Sequence, residues 1–380
     1  MKLSDREWKD FAVPYVFQKI QRGKRLKNAD HVPGVVPYVS STANNNGVDD
    51  YIEATKGTRV FEKCISLANS GSVGTAFYEP FAFVASDHVT SLKCDNANEY
   101  IYLFLTAVLE QQSSNFNFNR EINDLRIKKM RIMLPVTDDG EPDYQFMEDY
   151  IRELMAAKRK QYRDFVEKRL TELGVDVKNI GGYRESLESR EWKKFNIKEI
   201  FIVGHGFYNK KPPMHENGYF PFIGASGENN GVTGFTTLKD VANSSKVGYG
   251  VNEPLDKKVF SKGHLCVVNN GSAIGYTYYQ AAGFTCTHDV NPLWLRNHVM
   301  SESLGLFLSQ MIKSQGICFA YARKWRPSRM IHSKIMLPVT ENGEPDYEFM
   351  EEFGRKMMLD KYSQYLAFLA LSDTIKEMKN

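Results

Sequence analysis

The sequence predicts an α+β chain. It reads as a tandem pseudo-repeat of two mixed α/β domains, each followed by a long α-helix, with the two helices packing as an antiparallel coiled coil. Three observations carry this. The chain is written twice, in one unchanging order. Each copy opens with short β-rich runs broken by Gly/Asn turns. Each copy closes with a long segment whose apolar residues fall at helical spacing.

The repeat comes first because every element is paired through it. Glu7-Trp8-Lys9 returns as Glu191-Trp192-Lys193, and Val36-Pro37-Tyr38-Val39 as Phe220-Pro221-Phe222-Ile223. Asn45-Asn46-Gly47-Val48 returns as Asn229-Asn230-Gly231-Val232. Asn69 to Gly74 answers to Asn269 to Gly275, and Phe83 to Leu92 answers to Phe284 to Leu293. Met133-Leu134-Pro135 returns as Met336-Leu337-Pro338, followed in both copies by Gly-Glu-Pro-Asp-Tyr. The unit is roughly 190 residues, long enough to bury its own core. The second copy carries a 16-residue insertion between Val232 and Asn269.

Within a copy, runs such as 35–41, 58–71 and 75–86 are β-rich and end in turn residues. A helix is expected near Asn98 to Gln112, and its counterpart near Pro292 to Gln315. Asp143 is a good helix N-cap, with Glu148 and Asp149 loading the first turns. The stripe Met147, Ile151, Leu154, Tyr162, Phe165 and Leu173 then marks a helix, with Gly174 as its stop. The second long helix starts at Asp346 and carries Met350, Phe353, Met357, Tyr362, Tyr365, Leu369 and Ile375. Each is about 30 residues and therefore about 45 Å long. The expected boundaries are 1–142 for the first domain, 143–175 for a central helix, 176–345 for the second domain and 346–380 for a terminal helix.

Composition excludes several classes. Hydrophobic residues are 42% and charged residues 25% of 380, as in ordinary globular protein. No apolar run is long enough for a membrane span, and the N-terminus lacks the apolar core of a signal peptide. Five unclustered cysteines, with no Cys-x-x-Cys, argue against zinc or a disulfide framework and fit a cytoplasmic location. Catalytic signatures are missing. Gly204 and Gly206 are followed by Asn209 where a dinucleotide loop needs its third glycine. No phosphate loop, nucleophile elbow, His-Glu-x-x-His or Asn/Asp-Pro-Pro-Tyr/Phe occurs. Pro142-Asp143 followed by Glu191-Trp192-Lys193 imitates a metal-nuclease pattern, but capping explains Asp143. The histidines do not cluster, and Asp87-His88 becomes His288-Asp289 between copies. No catalytic, cofactor or metal residue is expected.

Placed polar and basic groups remain. The first loop holds Ser40, Ser41, Thr42, Asn44 and Asn45, and its counterpart Ser226, Glu228 and Asn229. Asn pairs with adenine and Glu accepts from cytosine, so these are candidate base contacts. Asn46-Gly47 and Asn230-Gly231 are explained as tight turns. Ser72 and Ser272 sit in Gly-rich loops whose backbone could approach a phosphate. The net charge of +3 announces no nucleic-acid binder, but basic residues recur before each Leu-Pro. The first set is Arg126, Lys128, Lys129 and Arg131, with the candidates Asn117, Asn119 and Arg120 before it; the second is Arg323, Lys324, Arg326, Arg329, His332 and Lys334, with Tyr321 and Trp325 between. They read as a phosphate-tracking surface.

Two mixed domains, each followed by a long helix, resemble the specificity subunit of multisubunit restriction–modification enzymes. The carriers are Trp8 and Trp192, the Pro37-Tyr38-Val39 and Pro221-Phe222-Ile223 strands, the Gly-Ser loops, and Leu134-Pro135 and Leu337-Pro338. The resemblance covers nearly the whole chain. It implies that each domain is a target recognition domain reading one half of a bipartite double-stranded DNA sequence. It also implies that the helices are spacers, spanning about thirteen base pairs, whose outer faces dock methyltransferase subunits. S-adenosylmethionine and Mg²⁺ would then belong to those partners, and cutting to a restriction subunit or a nuclease fused to the methyltransferase. The Gly-Glu-Pro-Asp-Tyr-x-Phe-Met-Glu helix start resembles type IIB systems as well as type I. The competing reading is a protein–protein adaptor built on the helices without DNA.

Overall fold

A computed structural model of the chain describes residues 1–55, 57–116, 120–173, 186–319 and 323–377, with side chains described as far as Leu371. The chain divides into two compact units, Met1–Phe165 and Val166–Asn380.

Unit 1 holds strands β1 (Trp8–Ala12), β2 (Lys19–Arg22), β3 (Pro33–Val39), β4 (Val48–Ile52), β5 (Val60–Phe61), β6 (Cys64–Ala68), β7 (Ala76–Glu79), β8 (Phe83–Ala85), β9 (Val89–Lys93) and β10 (Arg131–Pro135). Its helices are α1 (Val13–Val16), α2 (Glu99–Gln111), α3 (Asp124–Lys129) and α4 (Tyr144–Glu172), the last running past the unit boundary. One sheet runs β2-β9-β6-β7 and another β4-β3-β8-β5, while β1 pairs with β10. The fold is therefore sheets with helices packed on them, not a βαβ array.

Unit 2 repeats this with β11 (Glu191–Asn196), β12 (Phe201–Val203), β13 (Phe220–Ile223), β14 (Val232–Thr236), β15 (His264–Val268), β16 (Thr277–Gln280), β17 (Thr285–Cys286), β18 (Val290–Leu295) and β19 (Lys334–Val339). Its helices are α5 (Ile197–Ile200), α6 (Leu238–Asn243), α7 (Glu302–Gln315), α8 (Pro327–Met330) and α9 (Tyr347–Glu377). The sheet β12-β18-β15-β16 matches β2-β9-β6-β7, and β11-β19 matches β1-β10. The parallel pair β3·β8 returns as β13·β17.

Local chemistry repeats with the topology. The Trp8 indole donates to Leu3 O at 2.9 Å, and Trp192 to Leu187 O at 3.0 Å. Each ring stacks on the helix above it, Trp8 on Phe104 and Trp192 on Phe307. Asp143 accepts from Phe146 N at 2.9 Å and Asp346 from Phe349 N at 3.0 Å, so both long helices carry a side-chain N-cap. Asp143 also accepts from Arg6 Nε at 2.8 Å. That carboxylate is consumed by structure.

Three expectations need correction. The segment Pro292–Leu295 is strand, paired with β12 and β15, and the helix begins only after its cap Ser301. Leu154 and Phe165 are exposed, at 42% and 47%. The buried residues of α4 are Phe146, Met147 and Ile151, then Val166 and Leu170. Periodicity counts apolar residues but cannot show where a neighbouring surface begins or ends. On α9, Met357 and Tyr365 are exposed while Leu359 is buried, for the same reason. Gly174 lies outside the described residues.

Candidate nucleic-acid interface

The first predicted loop is built on an unusual backbone. Asn45, Asn46 and Gly47 have φ of 50°, 51° and 76°, and Asn229, Asn230 and Gly231 have 50°, 54° and 77°. Three consecutive left-handed residues need Asn or Gly, because other side chains lose roughly 1–2 kcal/mol there. The turn closes identically in each copy. Gly47 N donates to Asn44 O and Gly231 N to Glu228 O, both at 2.8 Å. Asn45 and Asn229, read as contacts, therefore have a backbone reason to be Asn. The exposed positions whose identity the turn leaves open are Ala43 and Asn44 in the first copy and Ala225, Gly227 and Glu228 in the second. Ser40, Ser41, Thr42 and Ser226 are half-buried. Thr42 Oγ1 accepts from Asn44 N at 3.2 Å, and Ser226 Oγ from Glu228 N at 3.1 Å.

The second loop abuts the first in unit 1, where Ser72 N donates to Ser41 O at 3.1 Å. Ser72 is half-buried and Ser272 exposed. Gly74 and Gly275 are demanded by packing. A Cβ on Gly74 would lie 2.7 Å from Ser113 Cα, and one on Gly275 2.3 Å from Gly316 Cα, at the ends of α2 and α7. These glycines seat the loop on its helix.

The basic segments are stitched to the same loops. Ile122 N donates to Asn69 O at 2.9 Å, and Trp325 N to Asn269 O at 3.1 Å. In unit 1, Arg131 is paired with Asp10, and Arg126 donates to Glu121 O at 2.7 Å. Lys128 and Lys129 remain exposed on α3. Arg120 stacks over Phe116 at 5.8 Å, and Arg323 over Phe319 at 5.4 Å. Lys324 is half-buried and Arg326 exposed. Asn117, Asn119 and Tyr321 lie outside the described residues. Trp325, read as an aromatic within a charged surface, is instead fully buried. It stacks on Phe319 and donates to Ser333 Oγ at 2.9 Å. A single residue between charges carries no periodicity that would reveal burial.

Two structural anchors escape sequence reasoning. Glu79 is fully buried, with Oε1 accepting from Ser66 Oγ at 2.8 Å and Oε2 unpartnered. Burial raises its pKa to about 7. Its counterpart Gln280 donates to Asn230 O at 3.1 Å, bracing the second recognition loop. A Glu/Gln alternation between copies was the available signal. Lys258, in the insertion, is also fully buried. Its ammonium donates to Val241 O, Ala242 O and Ser244 O at 3.2, 3.0 and 2.9 Å, and to Asn252 Oδ1. It thereby closes the C-terminal end of α6.

Among the described residues, no group of three or more His, Cys, Asp or Glu side chains is placed to hold a metal ion. No described helix is long and apolar enough to cross a membrane.

Comparison with known proteins follows this geometry. The sequence pattern described as type I restriction modification DNA specificity domain matches residues 5–162 and 189–364. The chain is similar to the S.BcgI specificity subunit of a type II restriction enzyme from Heyndrickxia coagulans, with 28% identity over 326 residues, 84% of this chain and 85% of that one. Among solved structures, it is similar to the S subunit of a type I restriction-modification system from M. genitalium, with 16% identity and a TM-score of 0.46, over 100% of this chain and 96% of that one. The HsdS subunit from Thermoanaerobacter tengcongensis gives 15% identity and a TM-score of 0.31, over 96% and 91%.

Proposed function

Because the chain belongs to the family of the type I restriction modification DNA specificity domain, with two matches in tandem, we propose that it reads a bipartite double-stranded DNA target, one half-site per unit. The observation that carries this is the repeated stitch: in both units one backbone hydrogen bond holds the basic segment against the Asn-x-Gly-Ser loop. Cations that track phosphates are thereby set beside residues that could address bases. The frame repeats while its loops differ, as two different words require.

The chain itself performs no chemistry in this reading. Methyltransferase subunits dock on it and supply S-adenosylmethionine and Mg²⁺ chemistry, and a restriction subunit or fused nuclease cuts. The complex works in the cytoplasm. The type II designation of the relative from Heyndrickxia coagulans favours the type IIB alternative. Within unit 2, a cavity of about 440 Å³ lined by Leu306, Phe307, Met311, Phe353 and Met357 offers a partner an apolar face. The long helices serve as spacers and pair antiparallel.

Modified-base sequencing of the source genome, with and without the gene, tests the proposal. Loss of adenine methylation at one bipartite motif is expected, and that motif supplies both words. An unchanged methylome with the partner subunits expressed would overturn the reading in favour of an adaptor without DNA.

A further inference from the structure

Unit 2 contains a polar cavity of about 430 Å³ under the stitched segment, lined by His205, Lys246, His288, Asp289, Lys324 and Arg326. Its floor is held by hydrogen bonds: Asn291 Nδ2 donates to Gly204 O at 2.7 Å, and Asn269 Nδ2 to His288 O at 3.1 Å. The bond from Trp325 N to Asn269 O fixes the flanking Lys324 and Arg326 at its edge. The carboxylate in the lining, Asp289, is already engaged by His288 Nε2 at 3.4 Å and Asn270 Nδ2 at 2.8 Å. Lys246, Lys324 and Arg326 have no ion-pair partner among the described residues.

The first copy shows what this corner looks like when closed. Gly23 N donates to Val89 O as Gly206 N does to Val290 O, so Arg22 stands where His205 stands. The stitch aligns Ile122 with Trp325, placing Glu121 at Lys324, Asn123 at Arg326 and Asp124 at Pro327. Arg22 there lies 4.0 Å from Asp124 and, with the Asn69 amide turned so that its oxygen faces inward, 3.0 Å from that oxygen. Asp87 occupies the position of His288, and Lys246, inside the insertion, has no counterpart. Where the first copy pairs an arginine with Asp124 and carries acids at two further aligned positions, the second has three cations and one spoken-for carboxylate. Cations of one sign lining a cleft raise its potential and favour an anion there.

We propose that this cavity is a seat for a backbone phosphate of DNA at the second half-site, a seat that the first copy closes with its own Arg22 and Asp124. This rests on the DNA reading above and adds an asymmetry to it: the two half-sites are gripped differently. Lys246 and Lys324, from distant parts of the sequence, converge on the same phosphate.

The test is the salt dependence of binding to a duplex carrying the methylated motif, using the full chain with its modification subunits. Lys246→Ala and Lys324→Ala should each weaken binding about 5- to 10-fold and flatten the slope of log K against log salt by up to about 0.9, the value for one phosphate. The double substitution should fall short of the product of the two, because both serve one phosphate. Arg326→Ala, at an exposed position, is the variant to use if Lys324→Ala lowers the melting temperature. Multiplicative effects, or unchanged binding by folded variants while the wild type binds, would overturn the seat and leave the DNA reading intact. Failure of the wild type to bind the duplex would overturn both. Inorganic phosphate stabilising the wild type thermally, but not the variants, with DNA affinity unchanged in the variants, would assign the site to a free anion and overturn the DNA assignment.

Discussion

Glu79 and Gln280 stand at the same register of the same hairpin in the two copies, Glu79 opposite Cys64 and Gln280 opposite His264. Both are buried, yet one is an acid and the other its neutral isostere. The amide satisfies the site; the carboxylate leaves one oxygen unpartnered.

Unit 1 should therefore lose stability as pH rises. The folded pKa of Glu79, about 7, lies above its ordinary value of 4.5. Stability linked to it is fully present below 4.5 and is lost as pH climbs through 7. Urea unfolding of the wild type should fall by about 2 kcal/mol between about pH 5 and pH 8, and Glu79→Gln should remove that component. Equal pH profiles for the two proteins would contradict the assignment.

Lys258→Met should remove a buried donor shared by three backbone carbonyls and the Asn252 amide oxygen. The expected loss is about 2–4 kcal/mol, read as a lower melting temperature. Limited proteolysis should cut first within 244–252. Resistance equal to wild type would mean that the insertion is held by something else.

Gly275→Ala should destabilise by about 2 kcal/mol or more, measured by urea denaturation, since φ is +87° and the new Cβ would meet backbone at 2.3 Å. Gly74→Ala, at 2.7 Å, should cost less. A neutral Gly275→Ala would show that the loop moves off α7 freely.

Glu228→Ala should leave the melting temperature unchanged, because Glu228 is exposed and only its backbone joins the turn. If the loop reads bases, the methylated motif should relax in its second word alone. A motif unchanged in both words would remove Glu228 from the interface.

How much was legible follows from what repeats. The turn Asn45-Asn46-Gly47, the cap at Asp143 and the strand at Val36–Val39 declared themselves because local chemistry demands those residue types, and the second copy said so again. Trp325 did not, because its burial comes from a core shared with Leu265, Leu308 and Leu337, which arrive from elsewhere in the chain. The stripe on α4 misplaced Leu154 and Phe165 because one helix buries different stretches against different neighbours. The cavity at Lys324 was invisible for a further reason: its cations come from two separated segments, and only the fold brings Lys246 beside Lys324 and Arg326.

Lys258 has a bearing on how such a chain can change over time. The insertion that distinguishes the second copy carries its own fastener, since the ammonium and all four of its acceptors lie between residues 241 and 258. The surrounding frame adds only a few holds: Tyr208 Oη donates to Val241 O at 2.9 Å, Thr285 Oγ1 donates to Lys258 O at 2.6 Å, and the ammonium lies over the Phe207 ring. A lineage that gained or shed the segment would therefore have to resettle only those few frame contacts, at Phe207, Tyr208 and Thr285. Recombination between copies, or between strains, would trade a self-secured part, and novelty in recognition would come at little risk to folding.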